Sequence, residues 1–297
     1  MQITANGITL EAEEYGPADG IPLILIRGLG SQLIHWPAEL YQGLAAKGYR
    51  TIIFDNRDVG LSARCPADHA PGDAQAILAL AASGAPVPAA YTLADMANDV
   101  VGLMDALNIA TAHIFGISMG GGIAQTLCIN HPDRLRTATI VMSAARPLTS
   151  GESGHDVLAR LLSYPMERDA YIESWVQEHA NHGSPGFPMP EADIRAEAER
   201  AWARGVDAEG INRQVLAVLS AADRRADLTR VTLPCQVIHG VDDALIPVEL
   251  GAEIAQLIPG CDYHAIKGMG HIITPSLAPS IVEMVDDFIT RRGDKTT

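Results

Sequence analysis

A serine, a pair of aspartates and a histidine, far apart along the chain, have the types and settings that could do chemistry together. Ser118 lies in Gly116-Ile117-Ser118-Met119-Gly120. The flanking glycines leave room for a cramped turn that pushes the hydroxyl clear of its surroundings. A serine hydroxyl is a weak nucleophile near neutral pH, so it needs a base, and the base needs an acid to orient it. Where strands alternate with helices, such groups follow in the order Ser, Asp or Glu, His, each just past the C-terminal end of a strand. The chain supplies Asp242 and Asp243 in Gly240-Val241-Asp242-Asp243, and His271 in Gly268-Met269-Gly270-His271. Together these groups would perform nucleophilic acyl transfer. Either aspartate could serve as the acid.

The groups meet only if the right elements deliver them. An apolar run at 113–115 leads into the serine and a small-residue helix follows to 130, giving strand, tight turn and helix. Uninterrupted apolar runs predict strands covered on both faces at 23–26, 50–54, 137–142 and 235–239, with a further strand at 262–266. Residues 3–15 read as a hairpin turning at Asn6-Gly7. Helices are expected at 37–47 (closed by Gly48), 74–82, 248–257 and 280–291. Another runs to 107, opened by a Thr92/Asp95 capping box, with Leu93, Met96, Val100, Leu103 and Leu107 on one face.

This alternation predicts an α/β fold with a mostly parallel sheet and helices on both faces. Residues from 146 to about 230 break the rhythm, with helical patterns, Pro165, Pro185, Pro188 and Pro190, and no convincing core strand. We expect a core of 1–145 and 230–297, with a helical cap at 146–229 inserted after the sixth strand. The cap would cover the strand C-termini, where such sheets bind ligands.

With 297 residues, 47% hydrophobic and 19% charged, the chain can bury a large core. Its net charge of −15, without any basic run, argues against nucleic acid or an anionic membrane as partner. No stretch reaches the ~20 apolar residues of a membrane span. The N-terminus shows neither a basic nor an apolar leader segment, and Cys65, Cys128, Cys235 and Cys261 are scattered. Reduced thiols in a cytoplasmic protein are the expectation. His179-x-x-His182 has metal-like spacing but no acidic or third ligand nearby, so no metal is expected.

Five segments carry a family resemblance: Gly28-Leu29-Gly30; Asp55-x-Arg57-x-x-Gly60-x-Ser62; Gly116 through Gly121; Gly240-x-x-Asp243-x-x-x-Pro247; and Gly268-x-Gly270-His271. Over essentially its whole length the chain resembles the α/β-hydrolase superfamily, and within it the bacterial capped esterases of the aclacinomycin methylesterase type. The resemblance implies Asp243 as the acid, three residues after Gly240 and four before Pro247, with His271 taking the proton of Ser118. It implies an oxyanion hole from the Leu29 and Met119 amides. Asp55 and Arg57 would be structural.

Arg27 departs from the family, which usually has histidine there. It would either pair with a carboxylate such as Asp55 or Asp58, or reach the substrate. Gly28, Trp36, Met142 and Trp175 are the candidate substrate-binding residues, with Met119, Met166 and Trp202 as further apolar lining. The implied activity is cofactor-free cleavage of a carboxylic ester or lactone through an acyl-enzyme. A bulky natural product, such as a polyketide or macrolide-type ester, would be the small-molecule substrate. Cofactor-free haloperoxidases (perhydrolases) and C–C bond hydrolases use the same residues, and a non-catalytic ligand receptor could share the fold. Dehalogenases and epoxide hydrolases place an aspartate where this chain has Ser118. Homodimerisation is left open.

Overall fold

The computed structural model describes residues 1–65, 74–83, 85–148, 152 and 167–292. The N-terminal run turns back on itself as expected. β1 (Gln2–Ala5) and β2 (Ile8–Tyr15) pair antiparallel, with Ala5 opposite Ile8. Asn6 and Gly7 between them take φ of 48° and 77°, the left-handed pair a two-residue hairpin requires. β2 continues antiparallel onto β4 (Tyr49–Phe54). From there β3 (Ile21–Ile26), β5 (Ala112–Ile117), β6 (Leu135–Val141), β7 (Cys235–Gly240) and β8 (Asp262–Ile266) extend a parallel sheet. The spatial order is β1-β2-β4-β3-β5-β6-β7-β8.

The central strand β3 is apolar at every position because both of its faces are covered. Leu23 and Leu25 of β3 point to the layer formed by α1 (Ala38–Ala46) and α10 (Ala278–Arg292), where Leu40, Leu44, Ile281 and Val285 meet them. Ile24 and Ile26 point the other way, toward Val100 and Leu103 of α3 (Leu93–Ala106) and Ile123 and Leu127 of α4 (Met119–Asn130). α3 begins with the expected capping box: Thr92 accepts from the Asp95 amide, and Asp95 accepts from the Thr92 amide. Such a cap stabilises a helix by about 1 kcal/mol. α2 (Ala74–Ser83) and α9 (Val248–Leu257) complete the helices expected outside the stretch between β6 and β7.

Between β6 and β7 the described residues form helices and no strand: α5 (Arg168–His182), α6 (Glu191–Arg204), α7 (Ala208–Leu219) and α8 (Arg225–Leu228). α5 and α6 pack through Tyr171, Ile172, Ala198 and Ala201. Charged contacts bind this layer to the loops leaving β3 and β4. Arg204 meets Asp55 at 2.7 Å, Arg213 grips Asp58 with two bonds of 2.8 and 2.9 Å, and Gln214 donates to the Arg57 carbonyl at 2.8 Å. Tyr91 also donates to Asp58. A buried carboxylate needs such compensation, because an unpaired charge away from water costs several kcal/mol. Asp55 additionally accepts from the Leu33 and Leu61 amides, and Arg57 forms a two-pronged pair with Asp99. The Asp55–Ser62 segment thus anchors the helical layer over the C-terminal ends of the strands.

Candidate active site

Ser118 sits between β5 and α4 at φ 57° and ψ −119°, a strained backbone that a side chain rarely adopts. Tight packing explains its two glycines. A Cβ on Gly116 would lie 2.1 Å from the Gly120 carbonyl oxygen, and one on Gly120 would lie 2.2 Å from that of Ile26. Neither position can carry any other residue without moving backbone. The turn is pinned by the Ser118 amide on the Val141 carbonyl and by the Gly121 and Gly122 amides on the Ser118 carbonyl.

Ser118, His271 and Asp243 come together in one chain of hydrogen bonds. Ser118 Oγ is 3.0 Å from His271 Nε2, and His271 Nδ1 is 2.7 Å from Asp243 Oδ2. Burial pushes the Asp243 carboxyl up, but His271, His239 and the Ile246 amide outweigh it and hold the group well below the usual carboxylate range. An ionised carboxylate only accepts, so the His271 Nδ1 carries the proton and Nε2 is left to accept from the Ser118 hydroxyl. The other Asp243 oxygen accepts from the Leu245 and Ile246 amides at 2.9 and 2.8 Å, which fixes its rotation. Asp242 points elsewhere. Its carboxylate accepts from the Gly268 amide at 2.6 Å and its own amide donates to Met269, tying the two loops together.

The amides of Leu29 and Met119 have no acceptor among the described residues. Gly28 brings their two loops into contact: a Cβ there would lie 3.2 Å from that of Ser118. The loop after β3 is held without the family's usual histidine. The Gly30 amide donates to Gln214 at 2.8 Å, and Asn56 donates to the Arg27 carbonyl at 3.1 Å.

Above Ser118 and His271 lies a cavity of about 570 Å³. Gly28, Leu29, Trp36, Met119 and Trp175 line it, whereas Met142 does not. Met142 follows β6 at φ 45° and is packed fully in the core with Val141, Ile238 and Met269. The following residues, Ser143 and Ala144, line the cavity instead. Trp202 packs on Tyr171, away from the cavity, and Met166 lies outside the described residues. His179 and His182 are occupied locally, on the Trp175 carbonyl and the Glu178 carboxylate.

Arg27 pairs with neither Asp55 nor Asp58, whose oxygens are taken by Arg204, Arg213, Tyr91 and backbone amides. Its guanidinium instead lies 4.5 Å from the Trp36 ring centroid, within the cavity wall. Across from it stands a group the sequence reading missed, Glu197 of α6. Burial pushes its carboxyl up to about 7, against the pull of Arg27 and Arg200. A raised carboxyl favours the fold while protonated, so its contribution is complete below the ordinary Glu range and lost as pH rises through about 7. Glu197→Gln is therefore expected to exceed wild type in stability at pH 8.5, by on the order of 2–3 kcal/mol at most, with the gap closing toward pH 4. Urea unfolding at the two pH values measures this.

The loop carrying His271 is held by the end of α5 and the residues just after it, a tertiary contact with no sequence signal. His271 donates its amide to the His182 carbonyl at 2.7 Å, Gly270 donates to Ser184 Oγ at 3.0 Å, and Ser184 donates to the Ile272 carbonyl. The Gly186 amide donates to Gly268 at 2.8 Å. His239 also went unnoticed. It is buried in β7, donates from Nε2 to the Ile246 carbonyl at 2.9 Å, and stands 3.4 Å from Asp243.

A family model described as the alpha/beta hydrolase fold matches residues 21–275. Rhodomycin D methylesterase of Streptomyces peucetius is 28% identical over 292 residues, covering 91% of each chain. The 2-hydroxymuconate semialdehyde hydrolase of Pseudomonas sp. strain CF600 is 28% identical over 300 residues, covering 97% of this chain and 93% of its own. Among solved structures, the enol-lactonase of Burkholderia xenovorans LB400 aligns with a TM-score of 0.70 at 26% identity, covering 98% of this chain and 100% of that one.

Proposed function

The chain belongs to the α/β-hydrolase fold family, and from that premise we propose that it is a serine hydrolase that cleaves carboxylic esters or lactones through an acyl-enzyme. What carries the reading is the hydrogen-bonded sequence Ser118–His271–Asp243 opening onto a cavity beside two idle backbone amides. Ser118 Oγ attacks the ester carbonyl while His271 Nε2 takes its proton. The carbonyl oxygen becomes an oxyanion facing the Leu29 and Met119 amides. Asp243 stabilises the imidazolium, which returns the proton to the leaving alcohol. A water activated by His271 then attacks the acyl-enzyme, releasing the acid and restoring Ser118. Residues 146–229 act in this reading as the cap that closes the cavity and sets its shape.

A cavity of about 570 Å³ is in the range that buries a drug-sized ligand, consistent with a bulky natural-product ester. The methylesterase relative supports an ester and the enol-lactonase supports a lactone. The 2-hydroxymuconate semialdehyde hydrolase relative supports C–C bond hydrolysis by the same residues as a second reading. A screen of purified protein against methyl and aryl esters, lactones and a vinylogous 1,5-diketone, followed by acid release, tests the choice. Turnover of esters or lactones well above the diketone is expected. Turnover of the diketone alone would replace the proposal with the second reading, and turnover of nothing would overturn both.

A further inference from the structure

Arg27 is a partly buried cation in the cavity wall with no hydrogen bond or ion pair to any described residue, and its Nε is fully shielded without an acceptor among them. Burial lowers its guanidinium to about 10, so it stays charged at neutral pH. A charge held this way costs several kcal/mol unless something compensates it, and among the described residues its direct contact is the face of Trp36. Glu197 opposite is too distant for an ion pair and is only partly ionised near neutrality. Arg224, another buried cation at the cavity, differs: Gln125, Ala144 and Ala222 take its donors.

The wall around Arg27 repeats the same imbalance. The Trp36 and Trp175 indole nitrogens and His35 Nε2 are buried without partners among the described residues. The Gln32 amide donates to His35 Nδ1 at 2.9 Å, so in the neutral ring that burial enforces the proton sits on Nε2. His35 stacks on Trp175 with centroids 4.5 Å apart and adjoins Trp36 in sequence, so the four residues form one continuous patch. The patch has N–H donors in surplus, one fixed positive charge and flat aromatic faces. Its complement is a compact, planar, singly charged acceptor on an apolar stem.

We propose that Arg27 is a specificity-determining residue and that the substrate carries a free carboxylate, bound by the Arg27 guanidinium on the Trp36 face while the ester or lactone lies at Ser118. This rests on the hydrolase reading and narrows its substrate class to half-esters and carboxylated lactones. A planar carboxylate matches the guanidinium fork and balances its single charge, whereas a phosphate dianion would leave one charge unmatched beside Glu197.

The test uses two matched pairs of esters in which an isopropyl group replaces the carboxylate. Mono-4-nitrophenyl adipate is compared with 4-nitrophenyl 6-methylheptanoate, and 6-acetoxyhexanoate with 6-methylheptyl acetate, so the anion is placed on the acyl side and then on the alcohol side. In at least one pair wild type should favour the anionic ester in kcat/KM by about 10- to 100-fold, the usual weight of a charge-assisted contact. Arg27→Met should bring that ratio to about one or below whatever its absolute rates, with the loss concentrated in KM, and Arg27→Lys should keep part of it. Calorimetry should show adipate binding to wild type and not to Arg27→Met. A neutral preference in both pairs, or an anionic preference that survives in Arg27→Met, overturns the proposal. Hydrolysis of the neutral esters without adipate binding removes the carboxylate site and leaves the hydrolase. Arg27-dependent adipate binding without hydrolysis of any ester supports the site and removes the hydrolase.

Discussion

Ser118→Ala is expected to lower kcat for an aryl ester by about 10⁴- to 10⁶-fold with no loss of folded protein. The change removes one oxygen and no packing. Ser118 Oγ holds only His271 Nε2 among the described residues, and the turn is held by backbone bonds from Ser118, Gly121 and Gly122 that alanine retains. The residual rate should stay above that of water, because the idle Leu29 and Met119 amides would still meet an oxyanion formed by water attack. Pre-steady-state assays on wild type should show a burst of alcohol, and the variant should show none. Activity within tenfold of wild type would place the nucleophile elsewhere.

Asp243→Asn should cost about 10⁴ in kcat at neutral pH, for a reason that lies in the proton rather than the packing. The Leu245 and Ile246 amides donate to one side of this group, so an asparagine keeps its oxygen there and turns its NH₂ toward His271. The His271 Nδ1 must then accept, its proton moves to Nε2, and Nε2 can no longer take a proton from Ser118. In wild type the carboxylate is held well below the ordinary range, so its contribution to stability is complete at neutral pH. That contribution is lost only as pH falls through the depressed value. Asp242→Asn is the internal control, since Asp242 contacts the Gly268 amide and not the histidine. A pH–rate profile of the three proteins would separate the roles, and equal losses from both variants would contradict the assignment.

What could be read from the sequence follows from how many physical demands each position meets. The serine turn was legible because packing leaves Gly116 and Gly120 no alternative residue, and because strand and helix patterns flank it. The central strands were legible because both faces are buried, as Leu23 and Ile24 show from opposite layers. Met142 was misread: the apolar run continues through it, but the backbone leaves the sheet at φ 45° and turns the side chain into the core. Local pattern does not report that rotation. Of the two alternatives for Arg27, pairing with Asp55 or Asp58 fails because their partners, Arg204 and Arg213, come from helices about 150 residues away. For the helices between β6 and β7, periodicity showed that they exist but not what they touch. Glu197 facing Arg27 and Ser184 gripping the His271 loop are tertiary facts with no local signature.

The central claim is that Ser118 is the nucleophile activated by His271, and covalent trapping tests it most directly. The protein is incubated with a fluorophosphonate, digested, and its adduct located by peptide mass. The account predicts one equivalent of label on the peptide containing Ser118, loss of ester hydrolysis in step with labelling, and no label on Ser118→Ala. A protein that hydrolyses esters yet takes its stoichiometric label at another residue would contradict it.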